Sequence, residues 1–287
     1  YKWGLDSSYG LTGMAEGEFA VQDLTWEIVN KMNLGVELGF LNGMIDLQLD
    51  YLDERRKDIF MPRESVPMTA GFMKQPWKNF GKVTNQGVEV SLNVNKQFGK
   101  DLFVSLMGTF TYAHNEITEK DEPSAVVGTN RAETGHPVGQ LTGYIAEGLF
   151  TEDDFEDVST GKLKEGIPTQ SFVSKLRPGD IRYRDVNGDG KVDVFDKSPI
   201  GGTKDPEIVY GFGLNMKYKD LDFGALFQGI GRSWNILGSS IIPGANRGVT
   251  GNMFTNANDR WTVDNPSQNV FYPRLDDGIN SNNNQPS

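Results

Sequence analysis

Cysteine is absent from the 287 residues, which excludes disulfides, zinc–thiolate centres and thiol catalysis. Histidine is scarce: His114 and His136 are the only two, and neither stands beside a Ser or Asp in a nucleophile motif. Both read as loop or rim residues, and the chain is not read as an enzyme. Carboxylates are so abundant that no single pair marks a glycosidase-like centre. No apolar run reaches about 18 residues, so no transmembrane helix is expected. The opening YKWGLDSSYG lacks the basic and apolar regions of a signal peptide, and its polar, Gly-containing start reads as that of an excised piece or a processed product. Positive charge is also short, 28 Lys and Arg against 39 Asp and Glu. With a net charge of −11 and no basic stripe, nucleic acid is not expected as a partner. Hydrophobic residues, at 37%, are few for a large dry core, whereas glycine, at 34 residues, is plentiful.

What is present is alternation. In NLGVELGF (33–40) Leu34, Val36, Leu38 and Phe40 share one side and Glu37 takes the other. In MIDLQLDY (44–51) Ile45, Leu47, Leu49 and Tyr51 oppose Asp46, Gln48 and Asp50, and in VEVSLNVN (88–95) Val88, Val90, Leu92 and Val94 oppose Glu89, Ser91, Asn93 and Asn95. The stretch 102–112 places Leu102, Val104, Leu106, Phe110 and Tyr112 together; 210–218 and 221–228 follow suit, with Leu226 breaking the polar side. Period two predicts strands with one apolar and one polar face.

The connections alternate as well. Strands near 24–60 are joined by Asn42-Gly43, a type I′ hairpin signal. Those near 80–119 meet at Phe98-Gly99-Lys100-Asp101, and those near 206–235 at Lys219-Asp220. Between the hairpins lie long segments, 61–79, 120–205 and 236–287. A sandwich can show such alternation; an outer-membrane barrel requires it. The expected fold over 1–287 is all-β: part of an antiparallel transmembrane β-barrel with short periplasmic turns and long extracellular loops. Its apolar residues face lipid, and Glu37, Asp46, Asp50, Glu89 and Asn93 face the lumen. Phe40, Tyr51, Tyr112 and Tyr218 close the apolar stripes, as interfacial rings do.

The long segments carry signals of their own. GQLTGYIAEGLF (139–150) predicts a short strand, TEDDFEDV (151–158) a short helix or a solvated run, and NMFTNANDRWTVD (252–264) a helical turn with Trp261 inward. Trp77, Tyr144, Phe150, Trp234 and Trp261 are candidates to stack on sugar rings or peptide side chains, or else to anchor loop cores. DVNGDGKVDVFD (185–196) sets oxygen ligands at calcium-loop spacing. Asp185, Asn187, Asp189, the Lys191 carbonyl, Asp193 and Asp196 are the expected ligands of a structural Ca2+, with Gly190 at the sharp turn. The same Asn-Gly and Asp-Gly pairs also make ordinary turns without metal.

The motifs DLTWE (23–27), DYLDERRKDIF (50–60), FGKVTNQGVEVSLN (80–93), GHPVGQLTGYIAEGLF (135–150), PGDIRYRDVNGDGKVDVFDKSPIG (178–201), YGFGLNMKYKDLDFGALFQG (210–229) and the NP…YPRL run (265–275) together resemble the SusC/RagA family of TonB-dependent transporters. The calcium-type loop alone also suits a dockerin-type module, but those are short and carry two such loops. The resemblance implies a plugged barrel of about 22 strands in the Gram-negative outer membrane. It implies import of a glycan, oligopeptide or other sizeable nutrient, a SusD-like surface lipoprotein as lid, and the TonB complex acting through a plug. By that measure the six wall strands are one segment of a barrel, without plug, TonB box or final strand, and the calcium-type loop lies on the extracellular side. The alternative reading is a soluble, secreted calcium-binding β module that binds carbohydrate.

Overall fold

The computed structural model describes residues 2–3, 11–12, 20–72, 74–236, 255–275, 282–283, 285 and 287. They divide into two units: residues 1–138 with 207–231, and residues 139–206 with 232–287.

The first unit is built on one six-stranded sheet. Its strands are β1 (Ile28–Phe40), β2 (Ile45–Pro62), β3 (Trp77–Phe98), β4 (Leu102–Glu119), β5 (Ile208–Tyr218) and β6 (Leu221–Gly231). Each pairs antiparallel with its neighbour in sequence, giving the spatial order β6-β5-β4-β3-β2-β1. All three tight turns therefore fall at one end of the sheet, and the connections 63–76 and 120–207 at the other. In the first turn Asn42 and Gly43 have φ of 56° and 80°, and the Met44 N–H donates to the Leu41 carbonyl at 3.3 Å. Positive φ at both central residues is what a type I′ turn demands. The second loop is Gly99–Asp101, since Phe98 already pairs with Leu102, and the third is Lys219-Asp220 between Tyr218 and Leu221. The Lys219 N–H donates to the Asp101 carbonyl at 2.9 Å, tying the second and third turns together.

Register turns each apolar stripe into a continuous field. One row reads Leu34–Tyr51–Val88–Tyr112–Ile208; a lower one reads Leu38–Leu47–Leu92–Gly108–Phe212–Phe227; the lowest joins Phe98, Leu102, Tyr218 and Leu221. Above the tyrosine row the same face turns polar. Gln86 pairs with Asp53 and with His114. Gln86 Nε2 donates to Asp53 Oδ1 at 2.9 Å, and His114 Nδ1 lies 2.6 Å from Glu207 Oε1. The apolar band thus ends in a row of hydrogen-bonded polar side chains.

Among its described residues the second unit holds only short ladders. Ala146–Leu149 pairs antiparallel with Ile181–Tyr183, and Thr169–Gln170 pairs parallel with Lys191–Val192. The expected strand at 139–150 divides into Thr142–Gly143 and Ala146–Leu149. The acidic run that follows forms a 3-10 turn, Glu152–Asp154, and a strand, Phe155–Asp157, in place of a helix. Asp154 Oδ2 accepts the Thr151 N–H at 2.7 Å, and a capping contact of that kind closes one turn and no more. Thr255–Asn258 is also a 3-10 turn; positions 252–254 of that expected turn lie outside the described residues.

Candidate functional site

Three features of the described residues bear on function: the two faces of the sheet, the packed loop unit, and the loop at 185–196. The first is decided by burial. Among the described residues the buried hydrophobic side chains belong to the loop unit, with Ile117 the sheet's single member. On the apolar field Leu34 is 66%, Leu106 46%, Phe212 53% and Phe227 57% exposed. No second layer of protein covers this face among those residues, so a sandwich does not describe it. The large exposed rings are fitted to one another. Phe212 and Phe227 stack at 4.9 Å, and the Tyr210 ring lies over Gly229, where a Cβ would fall 2.4 Å from it.

The opposite face carries Glu37, Asp46, Asp50, Glu89 and Asn93, in the rows Glu37–Gln48–Ser91 and Asp46–Asn93. All five residues expected in the lumen lie together. Farther up, the same face lines a cavity of about 500 Å³. Apolar Val29, Ile59, Val83 and Ile117 meet Glu54, Arg56, Lys82, Glu119, Lys120 and Glu133 there. The charges are matched in pairs: Lys31 with Glu54 at 2.6 Å, Lys82 with Glu119, and Lys120 with Glu133 at 2.8 Å. Sequence reasoning passed over this cavity, because its lining comes from strand ends that alternation alone does not bring together.

The loop unit is organised around Pro178-Gly179-Asp180. Gly179 has φ of 87°, and a Cβ there would come within 2.3 Å of the Trp261 indole. Its N–H donates to the Phe150 carbonyl at 2.7 Å, and its own carbonyl accepts from the Arg274 N–H at 2.9 Å. Asp180 is fully buried. Its carboxylate accepts from Arg274 Nε at 3.0 Å, from the Arg177 N–H at 2.9 Å and from Asn283 Nδ2 at 3.0 Å. A buried carboxylate persists only when its lone pairs are occupied in this way. Two small cores flank the turn, Tyr144–Tyr183–Val192 and Phe150–Phe155–Leu176. Of the five aromatics expected to meet ligand or anchor loops, Tyr144, Phe150 and Trp261 are therefore core anchors. Trp77 tilts against Phe60 at 5.2 Å and remains exposed, as does Trp234.

The six expected metal ligands fall in one closed loop. Asp185 accepts the Gly188 and Gly190 N–H groups, each at 2.7 Å, while Asn187 Oδ1 accepts from Asp189 and Asp189 Oδ1 from Lys191. Gly188 and Gly190 take φ of 75° and 84°. Asp196, fully buried, accepts the Val186 N–H at 2.8 Å on Oδ1 and the Asp193 N–H at 2.8 Å on Oδ2. Asp193 is held by the Phe195 N–H and by Lys191 Nζ at 3.0 Å. The side chains are thus aimed at the loop's own N–H groups. Among the described residues no three acidic or histidine side chains gather as a metal-binding group.

The β-barrel model of TonB dependent receptor-like proteins matches residues 4–196. TonB-dependent receptor P26 of Formosa agariphila is 27% identical over 270 residues, which are 90% of this chain and 26% of that protein. TonB-dependent receptor SusC of Bacteroides thetaiotaomicron is 28% identical over 207 residues, 70% of this chain and 19% of its own length. The structure of the RagAB peptide transporter superimposes with a TM-score of 0.65 at 22% identity, over 94% of this chain and 28% of that one, and shares the fold. The chain spans between 19% and 28% of the length of these relatives.

Proposed function

The chain belongs to the TonB-dependent receptor-like β-barrel family, and from that premise we propose that it forms wall and loops of an outer-membrane transporter importing a sizeable nutrient, a glycan or an oligopeptide. The family is one of transport receptors rather than enzymes. The observation that carries the reading is the uncovered apolar field of the sheet, bounded by a polar row and backed by a hydrophilic face. A soluble secreted module, the alternative reading, would leave that field in water at a large hydrophobic cost.

In this reading the tight turns are periplasmic, and the connections 63–76 and 120–207 emerge at the cell surface. A SusD-like lipoprotein closes over that surface, and the TonB complex acts through a plug elsewhere in the polypeptide. The six residues of the 185–196 loop hold a Ca2+ ion that stiffens it. A carboxylate oxygen accepting one N–H keeps a second lone pair, so ligation asks the side chains to pivot while the turn stays. Support for the ion is the ligand spacing alone.

Single cysteines test the orientation cleanly, since this chain has none of its own. In whole cells, Leu106→Cys is expected to be shielded from a water-soluble maleimide, while Ser105→Cys, one residue along and on the other face, reacts through the lumen. Equal labelling of the two overturns the reading.

A further inference from the structure

We infer that the tight-turn rim of the uncovered sheet face is a seat for an anionic phospholipid headgroup, held by the ammonium groups of Lys96 and Lys219. The inference rests on the importer reading, in which that rim stands in the periplasmic leaflet, and goes beyond it.

From the tyrosine row to the tight turns, Lys96 is the one charged residue that the six strands place on the apolar face. Register sets it in the row Lys96–Val104–Met216–Phe223, two residues inside the terminal row Phe98–Leu102–Tyr218–Leu221. That is about 7 Å along the strand, or ~5 Å in depth at a wall tilt of about 40°. A lysine so placed lays its stem on apolar surface and runs its ammonium to the nearest polar layer. Lys219 brings a second ammonium to that layer. Its backbone is left-handed, with φ of 53°, and its N–H donates to the Asp101 carbonyl at 2.9 Å. Its Nζ lies 5.4 Å from the centroid of the exposed Tyr218 ring, which belongs to the terminal row.

The two rims of this face differ in charge. At the far rim bases and acids mingle: Arg55 meets Asp53 at 3.0 Å, His114 meets Glu207 at 2.6 Å, and Lys57 and Glu116 stand in adjoining rows. At the tight-turn rim no carboxylate shares the face with Lys96 on any of the six strands. Asp222 lies on the opposite face, where it pairs with Lys217 at 3.9 Å, and Asp101 and Asp220 belong to the turns. Two ammonium groups at the edge of a hydrocarbon band call for an anion in the adjoining layer, and a lipid phosphate is the anion that layer supplies. A headgroup of net negative charge fits best, because a zwitterionic one brings a cation of its own.

The test places a fluorophore on Leu102→Cys, in the terminal row, and in a second preparation on Tyr112→Cys at the far rim, using the full-length receptor without other cysteines in lipid vesicles. Quenching by phosphatidylglycerol with brominated chains, relative to phosphatidylcholine with brominated chains, gives the local lipid preference at each rim. At low ionic strength phosphatidylglycerol is expected to be preferred threefold or more at Leu102→Cys and less than twofold at Tyr112→Cys. Lys96→Gln combined with Lys219→Asn is expected to bring the Leu102→Cys preference below twofold, while Lys96→Arg combined with Lys219→Arg keeps it. Molar salt is expected to remove it from the parent. Heat-modifiable gel mobility checks folding, and if the neutral double variant misfolds, the arginine variant and the salt series decide. A parent preference below threefold at Leu102→Cys, an equal preference at Tyr112→Cys, or one that survives the neutral double variant or molar salt overturns the seat; quenching by both lipids leaves the importer standing. A fluorophore that neither brominated lipid quenches at either position overturns seat and importer together.

Discussion

An arginine on the uncovered face tells hydrocarbon from water. Leu106 stands on that face of β4 between Val94 and Leu214, with Leu102 at the lower edge of the apolar field and Tyr112 at the upper. At about 3.4 Å per residue, Leu106 lies ~14 Å along the strand from Leu102 and ~20 Å from Tyr112. A wall tilt of about 40° shortens these to depths of ~10 and ~16 Å, and their sum of ~26 Å agrees with the ≈ 25 Å apolar band of outer-membrane barrels. In the importer reading Leu106 is thus near the midplane, where Leu106→Arg is expected to cost about 2–4 kcal/mol and Leu102→Arg, at the edge, about 0–1. Ser105→Arg, on the other face, is expected to stay within about 0.5 kcal/mol of the parent. Urea unfolding of the full receptor in phosphatidylcholine vesicles, read by heat-modifiable gel mobility, measures all three. The reasoning fails if Leu106→Arg costs no more than Ser105→Arg, or if the cost does not grow from Leu102 to Leu106. A face wetted by water would give that flat result.

The loop unit invites harsher perturbations. Gly179→Ala forces a side chain into left-handed backbone and against the Trp261 indole; the expected loss is about 2–4 kcal/mol, seen as a lowered denaturation midpoint of that unit's tryptophan fluorescence. Asp180→Ala strips the buried carboxylate from Arg274 and is expected to cost about 3–5 kcal/mol in the same assay. Burial alone would raise the Asp121 carboxyl, but hydrogen bonds from Arg63 and Ser65 hold it below the ordinary carboxylate range. Its contribution is therefore present above about pH 4 and lost as pH falls through the depressed value, so the protection factor of the Ser65 amide is expected to drop below about pH 4 in the parent and to be pH-independent in Asp121→Asn. For the 185–196 loop, Ca2+ is expected to slow proteolytic cleavage between 178 and 201 relative to EGTA, and identical digestion rates refute the ion.

Legibility followed the range of the interactions. The six strands were readable because Leu34, Val36 and Leu38, or Val88, Val90 and Leu92, alternate for a local reason: successive side chains point to opposite faces. The Asn42-Gly43 turn was readable because only a few residue types take positive φ at two consecutive positions. Strand ends were less so. β3 runs back to Trp77 and β6 stops at Gly231, since pairing partners, and not composition, decide where a strand continues. The loop unit was least legible. Nothing in the order Gly179, Trp261, Arg274 announces that an indole from 82 positions later settles on a glycine; that contact is made by packing across a long separation. The calcium-type pattern was legible as a turn, while the aim of its carboxylates is set by which N–H groups the folded loop presents.

The two units therefore meet their costs by different means, and this bears on where variation is tolerated. The wall satisfies its backbone through the ladder, and in the importer reading most of its apolar side chains need only remain apolar, because lipid conforms to whatever shape they make. Leu38→Ile or Val90→Leu should be nearly silent there. The loop unit, whose described ladders are short, depends on single fitted contacts: Trp261 on Gly179, Trp234 on Gly201-Gly202, Arg274 on Asp180. Each allows one side-chain volume, because a packed interior does not flow to accommodate a change. Glycine is a requirement of contact in both units, since a Cβ on Gly179 would meet the Trp261 indole and one on Gly229 the Tyr210 ring. A substitution scan of the receptor should show intolerance concentrated at Gly179, Asp180, Gly201 and Gly202 and, in the wall, at Gly229 beneath the Tyr210 ring, with the other positions of the uncovered face accepting any apolar residue. A scan with the reverse pattern would mean that the wall's apolar field is packed against protein after all.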